Sequence, residues 1–137
     1  MYAGPNAMTV DVEDYFHVQA LAGAIKPDDW DSCEYRAAGS TRRLLELFSR
    51  HGVSATFFVL GWVARKDPAL IKDIAAAGHE VACHGWSHQL VYTQTPQVFR
   101  EETRKSKDLL EQLTGVAVRG YRAASYTRAR QIGRAHV

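Results

Sequence analysis

The sequence has few cysteines, no long apolar run and no excess of charge of one sign. No stretch of the 137 residues approaches the roughly 20 apolar residues that cross a bilayer. The first eight residues also lack the charged and apolar regions of a signal peptide, so we expect a cytoplasmic protein with no transmembrane segment. The two cysteines, Cys33 and Cys83, lie far apart without CxxC spacing, which excludes a disulfide-based scaffold and favours a reducing compartment.

The charge balance argues against a nucleic-acid partner. Seventeen basic residues face fifteen acidic ones, for a formal net charge of +2. Basic residues cluster only between positions 100 and 107, where acidic residues are interleaved with them, so we interpret this segment as a solvated helix face.

Apolar segments alternate with amphipathic ones along the chain. The pattern predicts strands at residues 7–12, 53–60, 79–83 and 116–121. Helices are predicted between them, starting at Ser40 or Thr41, at Asp67-Pro68 and at Thr95-Pro96, and ending at Gly52, Gly78 and Gly115. The order β-α-β-α-β-α-β predicts parallel strands in an α/β sheet or barrel. Residues 15–39 show no clear period and are predicted to form a long functional loop.

Chemically capable side chains follow three of the predicted strands. The acids Asp11, Glu13 and Asp14 come with or after the first strand, His84 and His88 follow the third, and Arg122 follows the fourth. Because parallel α/β folds build their sites where the carboxyl ends of strands converge, we expect these groups to share one rim.

Two histidines four residues apart can bind one ion, and with a carboxylate they give the three-ligand, open-position pattern of catalytic zinc. Gly85 follows the first histidine, so the HExxH metalloprotease motif is excluded. Spacing alone favours the alternative that His84 and His88 are ordinary packed or exposed histidines. Asp11 interrupts an otherwise buried run and therefore needs a metal, a cation or hydrogen bonds, and Arg122 is a candidate cation for it.

Aromatic residues near these groups are candidates for a sugar subsite, with core packing as an equal alternative: Tyr15, Phe16 and Trp86. We expect His17, His51 and His136 to face solvent, and Cys83 to be structural because strand alternation points it away from the rim.

Several motifs together resemble one family: TVDVEDYFHV, ATFFVLGWVA, AAAGHEVACHGWSH, LTG and GYRAAS. They are similar to the NodB-homology polysaccharide deacetylases of carbohydrate esterase family 4, and the likeness is greatest to the exosortase-associated exopolysaccharide branch. The resemblance implies the N-terminal half of a distorted (β/α) barrel in residues 1–128. It also implies a divalent metal ion, usually zinc, and an N-acetylated polysaccharide or oligosaccharide as substrate.

The resemblance assigns roles to single residues. His84 and His88 match the histidine ligands, Asp11 matches the catalytic base, and Arg122 matches the arginine that orients the base. Val12 stands where the commonest family pattern has a second aspartate, so the third ligand is Glu13 by analogy with an amide-hydrolase branch, or else Asp14. Tyr15 and Trp86 are the substrate-binding candidates.

The sequence also departs from the family. The general acid is a histidine on a later strand that this chain lacks, and Ala124 replaces a usual proline. Residues 132–137 match the translation of a sequencing adapter, and we interpret residues 129–137 as a non-native tail. Two alternatives to a deacetylase follow: a cyclic amide or ureide hydrolase of the allantoinase-like branch, or an inert truncated module. The oligomeric state is left open.

Overall fold

The computed structural model describes residues 5–126, which form a parallel sheet packed against helices. The strands are β1 (Thr9–Val12), β2 (Thr56–Val59) and β3 (Glu80–Cys83), and the helices are α1 (Ala37–His51), α2 (Gly61–Lys66), α3 (Pro68–Ala76) and α4 (Pro96–Thr114). Short 3₁₀ turns occupy Tyr15–His17, Gln19–Leu21, Pro27–Ser32, Val91–Thr93 and Ala124–Tyr126. Within this range, no helix is both long and apolar enough to cross a membrane.

The sheet has the order β1-β2-β3, and both strand pairs are parallel. Asp11 pairs with Phe58, and Val59 pairs with Cys83, so the three strands end at nearly the same level. The sheet does not close within residues 5–126, and β1 forms one edge. The prediction of a parallel α/β fold is confirmed, as an open arc of strands.

Helix boundaries follow from identifiable caps. Asp67 and Thr95 accept hydrogen bonds from backbone N–H groups three residues on, and a proline follows each of them at the first helical position. Gly52 and Gly115 end α1 and α4 with φ angles of +61° and +71°, which glycine adopts without steric cost. These boundaries agree with the predicted ones, except that α1 begins at Ala37, a few residues before Ser40.

The core lies between the outer face of the sheet and the helices. Phe57 and Val59 of β2 are fully buried and meet residues of α3 and α4 such as Leu70, Ile74 and Leu110. The opposite face of β2 carries Thr56 and Phe58, which are only partly buried. The inner face of β2 is therefore only partly covered within residues 5–126, because the sheet is open.

Three other predictions differ from the structure. The fourth strand is reduced to one parallel bridge between Cys83 and Tyr121, and the N–H of Val118 donates to Glu111 of α4. Helix α2 was not predicted, since its apolar sequence continues the β2 pattern. The predicted loop at residues 15–39 contains three 3₁₀ turns and the start of α1.

Candidate metal centre

Glu13, His84 and His88 form a compact cluster at the carboxyl ends of the strands. Glu13 follows β1, and the two histidines follow β3 on the far side of β2. One ligand atom from each residue lies within 4.8 Å of the other two. The strand order therefore brings together residues that are distant in the chain.

His84 is held in one tautomer by the backbone. Its Nδ1 lies 2.8 Å from the carbonyl oxygen of Arg122, and a carbonyl only accepts, so Nδ1 carries the proton. Nε2 is then left with a free lone pair, and it lies 3.8 Å from Glu13 Oε2. An imidazole that binds a metal through one ring nitrogen usually donates the N–H of the other to a carbonyl, a carboxylate or water.

His88 adopts a left-handed backbone conformation with φ of +56°. This region is costly for most residues but is visited more often by histidine, and such strain is commonly found at functional sites. The conformation places Nε2 of the buried His88 2.8 Å from Glu13 Oε2.

The segment between the two histidines is held by hydrogen bonds from α2 and α4. The carbonyls of Gly85 and Trp86 accept hydrogen bonds from the backbone N–H groups of Gly61 and Trp62 at the start of α2, both at 2.9 Å. The buried Ser106 hydroxyl of α4 donates to the same Gly85 carbonyl, also at 2.9 Å. Sequence reasoning missed Ser106, although its spacing of seven from Phe99 and four from Leu110 places it on the buried face of α4.

The donor set fits a divalent cation. Within residues 5–126, His84 Nε2 is buried without a hydrogen-bond partner, which is costly unless another group binds it. Burial lowers the pKa of His84 and so favours the neutral imidazole that a metal requires. Burial would raise the pKa of Glu13, but the contact with His88 and the charges of His88 and His84 outweigh it and lower that pKa, which favours the carboxylate. Two imidazoles and one carboxylate match a zinc site with an open position.

Asp11 and Arg122 form an ion pair beside this cluster. Arg122 Nη1 lies 2.6 Å from Asp11 Oδ1, and its Nη2 donates to Thr9 Oγ1 at 3.0 Å. The guanidinium also stacks over the Phe58 ring, 4.1 Å from the ring centroid. The backbone of Arg122 is held by β3, because its N–H donates to the Cys83 carbonyl at 2.9 Å. These contacts fix one face of the Asp11 carboxylate and leave the side chain partly exposed.

The structure does not bring Asp14 into the cluster. Its Oδ2 accepts the backbone N–H groups of Arg36 and Ala37 at 2.6 and 2.7 Å, and its Oδ1 accepts that of Tyr15 at 2.9 Å. Asp14 is 5% exposed and ties the first 3₁₀ turn to the start of α1. Of the two acidic candidates for the third ligand, the geometry groups Glu13 with the histidines.

The aromatic candidates lie in different places. Tyr15 is partly buried and packs against the core, with the guanidinium of Arg36 5.0 Å from its ring centroid. Trp86 turns away from the cluster into a groove of about 1050 Å³ between α2 and α4, where Lys105 Nζ lies 3.7 Å from its ring centroid. Phe16 is buried in the core, and His17, expected to face solvent, is only 4% exposed. His51 is exposed as expected, while His136 lies outside the described residues, as does the tail at 129–137.

Both cysteines are free thiols in the described chain, and Cys83 is buried, as expected of a structural residue. Burial raises the pKa of its thiol, which disfavours the reactive thiolate.

These features define a class: a parallel α/β protein with a two-histidine, one-carboxylate cluster and a buttressed aspartate at the strand ends. The sequence profile of the family described as "Polysaccharide deacetylase" matches residues 28–134, and the chain belongs to this family. The chain is 35% identical over 102 residues to a peptidoglycan deacetylase of Helicobacter pylori, a match that covers 74% of this chain and 35% of that protein.

Solved structures agree on the fold. The Bc1960 peptidoglycan N-acetylglucosamine deacetylase is 25% identical with a TM-score of 0.69, covering 91% of this chain and 48% of that one. BA3943, a CE4 family pseudoenzyme from Bacillus anthracis, is 21% identical with a TM-score of 0.72, covering 92% and 37%, and shows likeness of fold alone. The chain therefore spans about a third to a half of the length of these relatives.

Proposed function

We propose that this chain is the metal-binding part of a hydrolase that removes N-acetyl groups from the amino sugars of a bacterial polysaccharide. The observation that carries the proposal is the Glu13–His84–His88 cluster with the Asp11–Arg122 pair beside it. Family membership supports the reaction type, because polysaccharide deacetylases hydrolyse amide bonds.

In this proposal Glu13, His84 and His88 hold the divalent ion, with zinc the expected one. When bound, such an ion polarises an amide carbonyl and favours the ionisation of water. Asp11 accepts the proton of the attacking water as a general base, a role that needs a carboxylate with one free face. Arg122 holds the other face and orients the carboxylate.

Protonation of the leaving amine requires a general acid. The family resemblance assigns that role to a histidine on a later strand, which is not among these 137 residues. We therefore expect the 137-residue chain to bind the metal ion but to release no acetate by itself.

The substrate proposal is an N-acetylated bacterial exopolysaccharide. The Helicobacter pylori relative is a peptidoglycan deacetylase. Peptidoglycan and the proposed exopolysaccharide are both glycans that contain N-acetylated amino sugars. Hydrolysis of a cyclic amide or ureide is the second candidate, because the acid in the cluster is Glu13, two residues after Asp11.

Metal binding tests the ligand set directly. The chain should bind one Co²⁺ with the visible absorption of a low-coordinate N/O site, and Zn²⁺ should displace it. Glu13→Ala, His84→Ala and His88→Ala should each lose binding, whereas His51→Ala, which alters an exposed histidine, should bind like the wild type. Equal Co²⁺ binding by the His84→Ala variant would sink the proposal.

The reaction is tested in a full-length polysaccharide deacetylase that carries these residues. Acetate release from N-acetylglucosamine oligomers should require added Zn²⁺ and should fall at least a hundredfold in Asp11→Asn, within the range that general-base catalysis contributes. Ring opening of allantoin without acetate release would favour the cyclic amide hydrolase.

A further inference from the structure

Gly85, the residue directly after the proposed ligand His84, has both of its backbone polar groups held by side chains. Its carbonyl accepts the hydroxyl of Ser106 in α4 at 2.9 Å, and its N–H donates to the sulfur of Cys83 at 3.4 Å. The same carbonyl accepts the N–H of Gly61 at 2.9 Å. The φ angle of Gly85 is +79°, in the left-handed region that glycine adopts without steric cost. The turn that follows His84 is therefore fixed at both backbone groups.

Ser106 is the least exposed polar side chain of residues 5–126, with an exposed fraction of 0%. It lies four residues before the fully buried Leu110, on the face of α4 that packs into the core. A hydroxyl in such a place costs free energy unless it is hydrogen-bonded, and alanine would pack there without that cost. The Gly85 carbonyl supplies the hydrogen bond. The hydroxyl therefore indicates a role in holding the loop from His84 to His88, in addition to the packing of α4.

His84 and His88 are held in different ways. The imidazole of His84 has its own anchor, since Nδ1 donates to the carbonyl of Arg122 at 2.8 Å. The imidazole of His88 lacks such an anchor, because its Nδ1 is buried without a hydrogen-bond partner among residues 5–126 and its Nε2 faces Glu13. The position of His88 in the cluster is therefore set by the backbone that leads to it.

That backbone is the segment held by α2 and α4. Two residues separate Gly85 from His88, and the carbonyl of the first of them, Trp86, accepts the N–H of Trp62 at 2.9 Å. His88 adopts φ of +56°, a conformation that costs free energy and persists only where the surrounding structure determines it. The hydrogen bond from Ser106 is one of the contacts that determine it.

We propose that Ser106 is a positioning residue of the metal centre: its hydroxyl fixes the Gly85 carbonyl and so holds His88 at the cluster. Ser106 contacts neither the ion nor the substrate and acts through the backbone of the loop. The inference rests on the proposed function in taking His88, with Glu13 and His84, as a metal ligand.

The Zn²⁺ affinity of single variants tests the proposal. Ser106→Ala removes the hydroxyl and keeps the Cβ, and we expect its Kd for Zn²⁺, measured by competition with a chelator, to rise about two- to tenfold, as the loss of one hydrogen bond predicts. Thr114→Val is the matched control, because Thr114, the last residue of α4, donates its hydroxyl to the Leu110 carbonyl at 2.9 Å. This variant should bind Zn²⁺ like the wild type. Equal Zn²⁺ affinity in Ser106→Ala and the wild type would overturn the proposal.

Two readouts separate positioning from a general loss of stability. Ser106→Thr keeps the hydroxyl while its extra methyl crowds a fully buried position, so it should be less stable in urea but should bind Zn²⁺ like the wild type. The visible absorption of bound Co²⁺ should change in Ser106→Ala and stay the same in Thr114→Val, since only the first substitution moves a ligand. A Ser106→Thr protein that loses as much affinity as Ser106→Ala would show that packing, and not the hydroxyl, determines the affinity.

The loop can also be followed without a metal ion. In metal-free Ser106→Ala, the amide hydrogen of Trp62, which is bonded to the Trp86 carbonyl, should exchange with solvent about two- to tenfold faster than in the wild type. The amide hydrogen of His84, which is bonded to the Val59 carbonyl of β2, should exchange at the wild-type rate. Unchanged exchange at Trp62 would contradict a role of Ser106 in holding the loop.

The same measurements keep the two proposals distinguishable. A wild-type chain that binds no Zn²⁺ would overturn the proposed metal-dependent function. A wild-type chain that binds Zn²⁺ no more tightly than Ser106→Ala would overturn only the role of Ser106. In a full-length polysaccharide deacetylase that carries these residues, Ser106→Ala should raise the Zn²⁺ concentration needed for half-maximal acetate release, and saturating Zn²⁺ should restore the rate.

Discussion

Glu13 and Asp14 are adjacent carboxylates in opposite environments. Glu13 faces two imidazoles, whereas Asp14 is surrounded by backbone N–H groups. The sequence could not separate them, because the donors that engage Asp14 belong to residues 36 and 37, more than twenty positions away. Because both acids follow the first strand, the sequence predicts that both lie at the rim. Only the fold of the following loop separates their environments.

Replacement of Asp14 should therefore damage stability and not metal affinity. Asp14→Ala leaves the N–H groups of Arg36 and Ala37 without an acceptor, and we expect a loss of about 2–4 kcal/mol in the free energy of unfolding. Urea denaturation measures this loss, and Asp14→Asn, which keeps one acceptor oxygen, should lose less. Abolished Zn²⁺ binding with unchanged stability would instead make Asp14 a ligand.

His17 should make the protein sensitive to acid. Burial lowers its pKa from 6.5 to about 4, so the unfolded chain takes up this proton first as the pH falls. The free energy of unfolding is then highest above pH 6.5, decreases as the pH falls towards 4 and changes little from this group below that; the total loss is about 3 kcal/mol.

His17→Asn removes this titration and keeps a side-chain acceptor for the backbone N–H of Asp14. Urea denaturation at pH 7 and pH 4.5 should show a smaller acid-induced loss of stability in His17→Asn than in the wild type. Parallel losses in the two proteins would show that His17 is not protonated differently in the folded and unfolded states. The burial of His17 was missed in the sequence because its Trp30 and Trp62 neighbours come from separate elements.

At the scale of elements, the loop from His84 to His88 depends on its contact with α2 and α4. Gly61 begins α2, and a Cβ at this position would collide with the Trp86 ring and the Ser106 hydroxyl. The periodicity predicted α3 and α4 well because each has a polar cap, a proline and an apolar face. Helix α2 gave no such signal, since most of its residues are buried and its sequence lacks a polar face.

Gly61→Ala should consequently destabilise the protein by about 1–3 kcal/mol through overpacking. Gly39→Ala is the matched control: Gly39 lies in α1 with no atom within 4 Å of an added Cβ, and alanine there should stabilise by up to about 1 kcal/mol. Urea denaturation of the two variants measures both effects. A Gly61→Ala protein as stable as the wild type would show that Trp86 is free to move.

At the scale of the whole molecule, the proposed metal ligands connect the first and third strands of the described sheet across the second. A ligand that binds only the folded state stabilises it by about 2.7 kcal/mol at one hundred times its Kd. Zn²⁺ should therefore raise the melting temperature measured by circular dichroism, and EDTA should reverse the shift. His84→Ala should show no such shift, and a full shift in that variant would place the ion elsewhere.

The architecture was more predictable than the site. Alternating strands and helices determine a parallel sheet, and the family motifs point to the same fold. The reduced fourth strand was not predictable, because Val116, Val118 and Tyr121 have strand propensity. In the structure, the N–H of Val118 donates to the Glu111 side chain. Likewise Trp86 lies midway between His84 and His88 in sequence, yet its side chain lines the groove between α2 and α4.

Arg122 acts on its neighbours through two chemically different parts of one residue. Its guanidinium holds Asp11, whereas its main-chain carbonyl holds His84. Any other amino acid at this position would still carry the carbonyl. In the proposed mechanism, substitution of Arg122 therefore removes the orientation of the base, Asp11, while the His84 imidazole keeps its position for an ion. A protein of this fold could lose turnover in a single substitution and persist as a metal-loaded binding protein.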